Sequence, residues 1–376
     1  MAILPPATLG MLGGGQLGRM FVIAARTMGY EVIVLDPDPD SPAGGLASEH
    51  LKSNLDDQKA LDYLANKCRV ITTEFENIPA ESLEYLAKSV PVHPSASALR
   101  IAQNRKLEKH FIIGQGLNTA VYVVIEAEAD IELARNLPYP AILKTATFGY
   151  DGKGQIVCES FDEVAAAFAQ LNQQPCVLEK KVDLAKEVSV VLCRSQSGDI
   201  DCFPIAENQH VGGILDSSQA PAVLSAAKQA EVKLAACKIA EGLDYCGVLA
   251  VEFFITTDDA VLVNEMAPRP HNSGHYTLDA CYSSQFEQQV RMICGLPAGN
   301  SRQHTPVAMW NILGDIWPDD SEPAWDLVTA LKSAKLHLYG KKAARAGRKM
   351  GHINCMGSDN QAAMDLLLKI KQALKP

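Results

Sequence analysis

The sequence predicts a mixed α/β and α+β protein, and three observations carry that expectation. A glycine-rich turn lies between an apolar strand and a helix near the start, a second glycine-rich loop follows a lysine-bearing strand near residue 150, and two glutamates interrupt a pair of apolar strands around residue 258. At 376 residues the chain exceeds what one hydrophobic core usually organises. The expected divisions are an N-terminal α/β domain over 1–100, a two-lobed region over 101–297 with its small lobe at about 104–182, and a C-terminal domain over 298–376.

Taken in order, 8–12 reads as a buried strand, 13–18 as the glycine turn, 16–28 as a helix and 32–35 as a second buried strand, a βαβ opening. Strands at 70–73 and 90–92 complete this domain. A helix at 104–113, strands at 139–145 and 156–159 flanking the loop 148–155, a helix at 161–171 and a strand at 177–180 make a small lobe. Strands at 187–193, 202–206, 247–255 and 261–266 look antiparallel, with one long helix, 222–241, among them. From 305 onward come further strands, a basic loop at 340–349 and an amphipathic helix at 360–374.

Composition narrows the function classes. A net charge of -10 argues against general affinity for nucleic acid or anionic membrane, because counterion release needs a basic surface. No apolar run approaches the roughly 20 residues that span a bilayer, and the opening Met-Ala-Ile-Leu-Pro-Pro has no charged n-region, so a cytoplasmic location is expected. The 10 cysteines are scattered from Cys68 to Cys355 without a CxxC pair and read as reduced, mostly buried thiols.

Five motifs bear chemistry. Gly13-Gly-Gly-Gln-Leu-Gly18, with Asp36 ending the next strand, satisfies the dinucleotide pattern, yet glycines at a helix N-terminus suit any phosphate. Glu252 and Glu265 sit in apolar strands joined by a turn at 257–260; a hairpin centred between Asp258 and Asp259 sets them directly opposite, roughly 5 Å apart at Cβ. Carboxylates that close call for a cation, magnesium being the natural one, unless the sheet face is simply solvated. In Gly149-Tyr-Asp-Gly-Lys-Gly154 three glycines allow a flap of backbone N–H groups over phosphates, or merely a hairpin turn, and Lys144 in the strand before it demands an anion. Glu179, Lys180, Lys181 and Val182 end one strand and Glu187 begins the next, by themselves solvated charges, but in a nucleotide site an edge able to read an adenine and ribose. Last, Arg269-Pro-His-Asn-Ser-Gly-His275 and the cluster of Lys341, Lys342, Arg345, Arg348 and Lys349 supply donors for a substrate phosphate, or a solvated loop.

In this order Lys144, the 148–155 loop, Glu179 to Val182, Glu187, Glu252 and Asn264-Glu265 resemble the ATP-grasp superfamily over nearly the whole chain. Gly13-Gly-Gly-Gln-Leu-Gly-Arg19, Asn264-Glu-Met-Ala-Pro-Arg-Pro-His-Asn-Ser-Gly-His275 and Tyr339-Gly-Lys341 with Gly347-Arg-Lys-Met-Gly-His352 resemble the 5-(carboxyamino)imidazole ribonucleotide synthase family within it.

The resemblance implies a biotin-carboxylase-like ATP-grasp architecture: N-terminal βαβ domain, two-lobed ATP-grasp region, small C-terminal domain. It implies a cytoplasmic homodimer that joins ATP, bicarbonate and 5-aminoimidazole ribonucleotide through carboxyphosphate, with two magnesium ions and no biotin. Glu252 and Glu265 would hold metal. ATP would meet Arg105, Lys144, Gly149, Tyr150, Asp151, Gly152, Lys153, Gly154, Gln155, Glu179, Lys180, Lys181, Val182, Glu187, His210, Asn264 and Glu265. The ribonucleotide would meet Glu76, Tyr150, Asp151, Lys153, His271, Asn272, Lys341 and Arg348, with Asp151 and Lys341 handling the proton and orienting carboxylate and Arg269 holding bicarbonate or carboxyphosphate. Ala267, where many ATP-grasp enzymes carry asparagine, points away from biotin carboxylase; Lys153 replaces a common arginine and loses bidentate geometry. The rivals are a formate-dependent glycinamide ribonucleotide transformylase and, more distantly, an NAD-dependent oxidoreductase.

Overall fold

The structure, a computed structural model, describes residues 2–147, 149, 154–317 and 321–374. The first sheet contains β1 (Thr8–Leu12), β2 (Glu31–Leu35), β3 (Glu49–Leu51), β4 (Val70–Thr73) and β5 (Val92–His93), all parallel in the order β3-β2-β1-β4-β5. Its inner strands β1, β2 and β4 are almost wholly buried because helices cover both faces. One face packs Leu9, Val32 and Val34 against Phe21; it also receives Phe286 and Val290 from the helix Gln285–Ile293, so the middle of the chain closes this core. The other face sets Ile33, Leu35 and Ile71 against Leu61, Leu64 and Leu83.

The small lobe is an antiparallel sheet of β6 (Tyr122–Ile125), β7 (Ala141–Thr145), β8 (Gln155–Cys158) and β9 (Cys176–Lys180), ordered β6-β9-β7-β8. Leu143, Leu178 and Phe168 fill its core.

The third sheet combines β10 (Leu184–Arg194), β11 (Ile200–Cys202), β12 (Ala206–Val211), β13 (Ile214–Ala220), β14 (Gly247–Thr256) and β15 (Val261–Ala267) with the C-terminal β16 (Val307–Leu313), β17 (Ala334–Leu338) and β18 (Lys349–Met356). Its order is β15-β14-β10-β12-β13-β16-β18-β17, with β11 on the side of β10. The C-terminal strands thus extend the sheet of the large lobe, Ser217 lying opposite Trp310, while Trp310, Ile353 and Leu367 build a separate core beneath the helix Asn360–Ala373.

Two differences from the sequence reading have physical causes. The strand expected over 202–206 does not form: β11 ends at Cys202, and β12 begins at Ala206 as the first arm of a polar hairpin with β13, turning at Gly212 and Gly213 with φ of 59° and 80°. Glu207, Asn208, Gln209 and His210 lack apolar alternation; β10 on one side and β13 on the other fix them instead. The long helix starts at Ala226, not 222, because Ser225 caps it by accepting from the Lys228 N–H.

Candidate active site

β14 and β15 bring Glu252 opposite Glu265. Near the turn the hairpin is centred on Asp258, with Ile255 opposite Val261, which alone would set Glu252 opposite Asn264. A bulge between Glu252 and Phe253 inserts one residue on β15 and restores the glutamate pair. The expected opposition holds, by a bulge and not by the turn.

These glutamates line a cleft of about 710 Å³ between the first domain and both lobes, together with Glu76, Arg105, Lys144, Gly149, Gln155, Glu187, His210, Asn264, Arg269, His271 and Asn272. Gly154, Glu179, Lys180, Lys181, Val182, Lys341 and Arg348 lie off its lining. Tyr150, Asp151, Gly152 and Lys153 lie outside the described residues. Lys341 nonetheless reaches the wall, donating to Gln16 Oε1 at 2.7 Å and to the Lys349 carbonyl at 2.8 Å. Lys180 and Lys181 give their N–H groups to the Val121 and Pro140 carbonyls, and Arg348 donates to the Ala343 carbonyl.

The cleft sets buried charges beside exposed ones, the Glu265 side chain being 41% exposed. Glu252 is 8% exposed, and burial together with the Glu265 carboxylate pushes it up to about 7, with His210 and Lys349 opposing. Glu265 is bound by Arg105 at 3.3 Å. Behind it, buried Glu108 accepts from the Met266 N–H at 2.6 Å, and burial with the Glu265 charge raises it to about 8. Lys144 finds its anion in Glu179 at 3.2 Å, which also holds the buried Lys109 at 3.3 Å. His210 pairs with Glu187; burial disfavours its charge, but Glu187, Glu252 and Glu265 hold it above the ordinary imidazole value.

Can the glutamate pair hold a metal? Among the described residues no three His, Cys, Asp or Glu side chains converge for that purpose. Magnesium prefers one or two carboxylates plus phosphate oxygens and water, and a raised Glu252 is what an unneutralised pair facing a cleft should show. The donor set fits a cation that arrives with a polyphosphate.

Arg269 grips Glu76 with two hydrogen bonds, one of them 3.1 Å, and ties the loop after β4 to the end of β15. Burial pushes the Glu76 carboxyl up, but the Arg269 charge and hydrogen bonds prevail and hold it below its ordinary value. A carboxylate depressed below its unfolded value of about 4.3 adds stability above that pH and loses it as pH falls through the lower folded value. We therefore expect Glu76→Gln to lower the thermal midpoint at neutral pH and to flatten its decline below about pH 4, as followed by circular dichroism.

The N-terminal glycine turn is already satisfied by protein carboxylates. Gly14 N–H donates to Asp36 at 2.7 Å, and Gly15 and Leu17 N–H donate to Glu74, the latter at 3.1 Å. The positive end of the helix Gln16–Thr27 therefore faces Glu74, which leaves no amide cradle for a pyrophosphate and disfavours the dinucleotide reading. Gln16 and Leu17 instead line the cleft. A Cβ on Gly15 would overlap the Glu74 carboxylate, so Gly15→Ala should lower unfolding free energy by about 1–3 kcal/mol in a denaturant melt.

Sequence reasoning missed Gln16, Glu74, Glu108 and Lys109. Glu74 had a signal, since it stands beside Glu76 at the C-terminal end of a parallel strand. Glu108 and Lys109 had none, because charges on a helix ordinarily read as its wet face.

Known proteins show the same organisation. The chain matches the ribonucleotide synthetase preATP-grasp domain over 6–103, the ATP-grasp domain over 110–286 and the phosphoribosylaminoimidazole carboxylase C-terminal domain over 307–365. It is similar to the N5-carboxyaminoimidazole ribonucleotide synthases of Brucella melitensis, 44% identical across 94% of this chain and 97% of that one, and of Bacillus subtilis, 43% identical across 94% and 92%. Among solved structures, the Staphylococcus aureus N5-carboxyaminoimidazole synthetase complexed with ADP superposes with a TM-score of 0.92 at 35% identity, covering 100% of this chain and 98% of that one. The Aspergillus clavatus enzyme in complex with ADP and 5-aminoimidazole ribonucleotide gives 0.91 at 31%, covering 98% of each.

Proposed function

The chain belongs to the N5-carboxyaminoimidazole ribonucleotide synthase family of ATP-grasp ligases, and from that premise we propose that its cleft activates bicarbonate with ATP, through carboxyphosphate, to carboxylate the exocyclic amine of 5-aminoimidazole ribonucleotide. It is an ATP-dependent carbon–nitrogen ligase of purine biosynthesis. The observation that supports the finer reading best is the opposed pair Glu252 and Glu265, set in one cleft with Arg105 and Lys144. The domain limits of 1–100, 101–297 and 298–376, a cytoplasmic location and a homodimer belong to the same proposal; no helix among the described residues is long and apolar enough to cross a membrane.

Bicarbonate is a poor electrophile until an oxygen is phosphorylated, and phosphoryl transfer needs alignment and charge neutralisation more than covalent help. Magnesium held by Glu252 and Glu265 would supply much of that neutralisation when bound. Arg105 and Lys144 add fixed positive charge on the same wall. The segment ending β9, the flap at 149–155 and Glu187 with His210 hold the nucleotide in this reading.

Carboxylation requires the amine to lose a proton. His271 is an unsuitable base: its Nδ1 is engaged by Ser273, 3.3 Å from that residue's N–H and 2.9 Å from its hydroxyl, and its Nε2 lies 3.7 Å from Glu252. Burial, reinforced by Arg269 and Lys349, keeps the ring neutral. Asp151 is the proposed proton acceptor, Lys341 orients the incoming carboxylate, and Arg269, charged and buried beside Glu76, holds bicarbonate or carboxyphosphate. Glu76, Tyr150, Lys153, His271, Asn272 and Arg348 complete the ribonucleotide site on this reading.

Phosphate release from ATP, measured with each substrate omitted in turn, tests it. Release should need both bicarbonate and aminoimidazole ribonucleotide; turnover with formate and glycinamide ribonucleotide in their place would assign the chain to the formate-dependent transformylases instead.

A further inference from the structure

Two cysteines differ from the other eight. Cys68, Cys158, Cys176, Cys193, Cys246, Cys281, Cys294 and Cys355 are buried, and burial pushes their thiols up to about 11 or 12. Such thiols are protonated and inert at neutral pH. Cys202, ending β11, and Cys237, on the helix Ala226–Gly242, are partly exposed, and their sulfurs lie 3.9 Å apart. Cys202 opens onto a second cleft of about 660 Å³, which shares no lining residue with the active-site cleft and carries Lys233 on its wall. Lys233 precedes Cys237 by one helical turn and so sits on the same face.

We propose that Cys202 and Cys237 form a dithiol that hydroperoxides oxidise to an intramolecular disulfide. The Cys237 sulfur, as thiolate, attacks one peroxide oxygen; the O–O bond breaks, the distal oxygen leaves as hydroxide and takes up a proton as water, and Cys237 becomes a sulfenic acid. The Cys202 sulfur then attacks that sulfur, the S–O bond breaks, and the departing hydroxide leaves as water with the proton Cys202 gives up. Two thiols and one hydrogen peroxide thus yield one disulfide and two waters, the two electrons passing from sulfur to peroxide oxygen.

The 3.9 Å contact makes the pair, and its electrostatics favour one partner as thiolate. A hydrogen bond joins the two sulfurs, and this bond, aided by Lys233, holds Cys237 down to about 7 against burial and Glu241, while Cys202 is raised. The attacking sulfur is therefore the one already favoured as thiolate. Closing from 3.9 Å to the roughly 2.05 Å of a disulfide asks one partner to move. β11 can do so, since it is a three-residue strand paired to β10 alone.

The full-length protein, treated with a small excess of hydrogen peroxide at neutral pH, should fall from 10 titratable thiols in denaturant to eight, with dithiothreitol restoring all 10. Peptide mapping should find Cys202 joined to Cys237 and no other linkage. Cys202→Ser should leave Cys237 oxidised to sulfenic or sulfinic acid without a cross-link, and Cys237→Ser should leave Cys202 reduced, with unchanged ATP turnover showing that both variants are folded. Retention of 10 thiols under conditions that oxidise glutathione, or a cross-link between any other pair, would overturn the proposal.

Discussion

Glu265→Gln should reduce aminoimidazole-ribonucleotide-dependent phosphate release by about a thousandfold or more, a loss of roughly 4 kcal/mol of transition-state stabilisation, without unfolding the protein. Glutamine keeps the shape of the side chain but gives a hard cation only a neutral carbonyl. The apoprotein should tolerate the change. Glu252 loses the like charge that helps raise it to about 7, and Arg105, though it loses its 3.3 Å partner, remains in the field of Glu108 and Glu179. The signature is thus activity lost with the apo thermal midpoint held within a degree or two, and Glu252→Gln should share it. A variant with full turnover would remove the metal pair from the reaction; one whose stability collapses together with its activity would make Glu265 a structural anion for Arg105.

That asymmetry between function and stability explains which parts of the site were legible in the sequence. Glu252 and Glu265 stand out because a carboxylate inside an apolar strand is a cost no folding argument explains. Lys144 stands out for the same reason, and the β-α-β opening of the chain is plain because Val32 to Leu35 is apolar without interruption. What stays hidden is what neighbours decide. The polar hairpin of β12 and β13 is a strand pair only because β10 and β16 flank it, and Lys109 is buried only because β9 delivers Glu179 to it. The bulge at Asn264 shows the same limit: opposition of the glutamates followed from counting residues across a turn, yet the turn is centred one half-step away and the extra residue on β15 makes up the difference. Glu74 was in view beside Glu76, but only the fold shows that it occupies the amides that a dinucleotide would need.

Glu179→Ala should destabilise the protein by about 3–5 kcal/mol, more than removal of either lysine it binds. One carboxylate, 4% exposed, holds Lys109 at 3.3 Å with its side chain 2% exposed and Lys144 at 3.2 Å with its side chain 13% exposed. Without it two ammonium groups share a site that water barely reaches, and among the described residues Lys109 keeps a hydrogen bond to the Thr119 hydroxyl at 2.9 Å and the face of the Tyr122 ring at 5.5 Å. Lys144→Met should cost less, because the Lys109–Glu179 pair survives. The difference between the lysines also gives a functional test. Lys144 faces the cleft and Lys109 does not, so polyphosphate bound there should supply part of the missing negative charge, and ATP should raise the thermal midpoint of Glu179→Ala more than that of the parent protein. An equal rise in both would mean that Lys144 serves the fold and not the nucleotide, and a loss below about 1 kcal/mol would mean that water reaches Lys109 in solution.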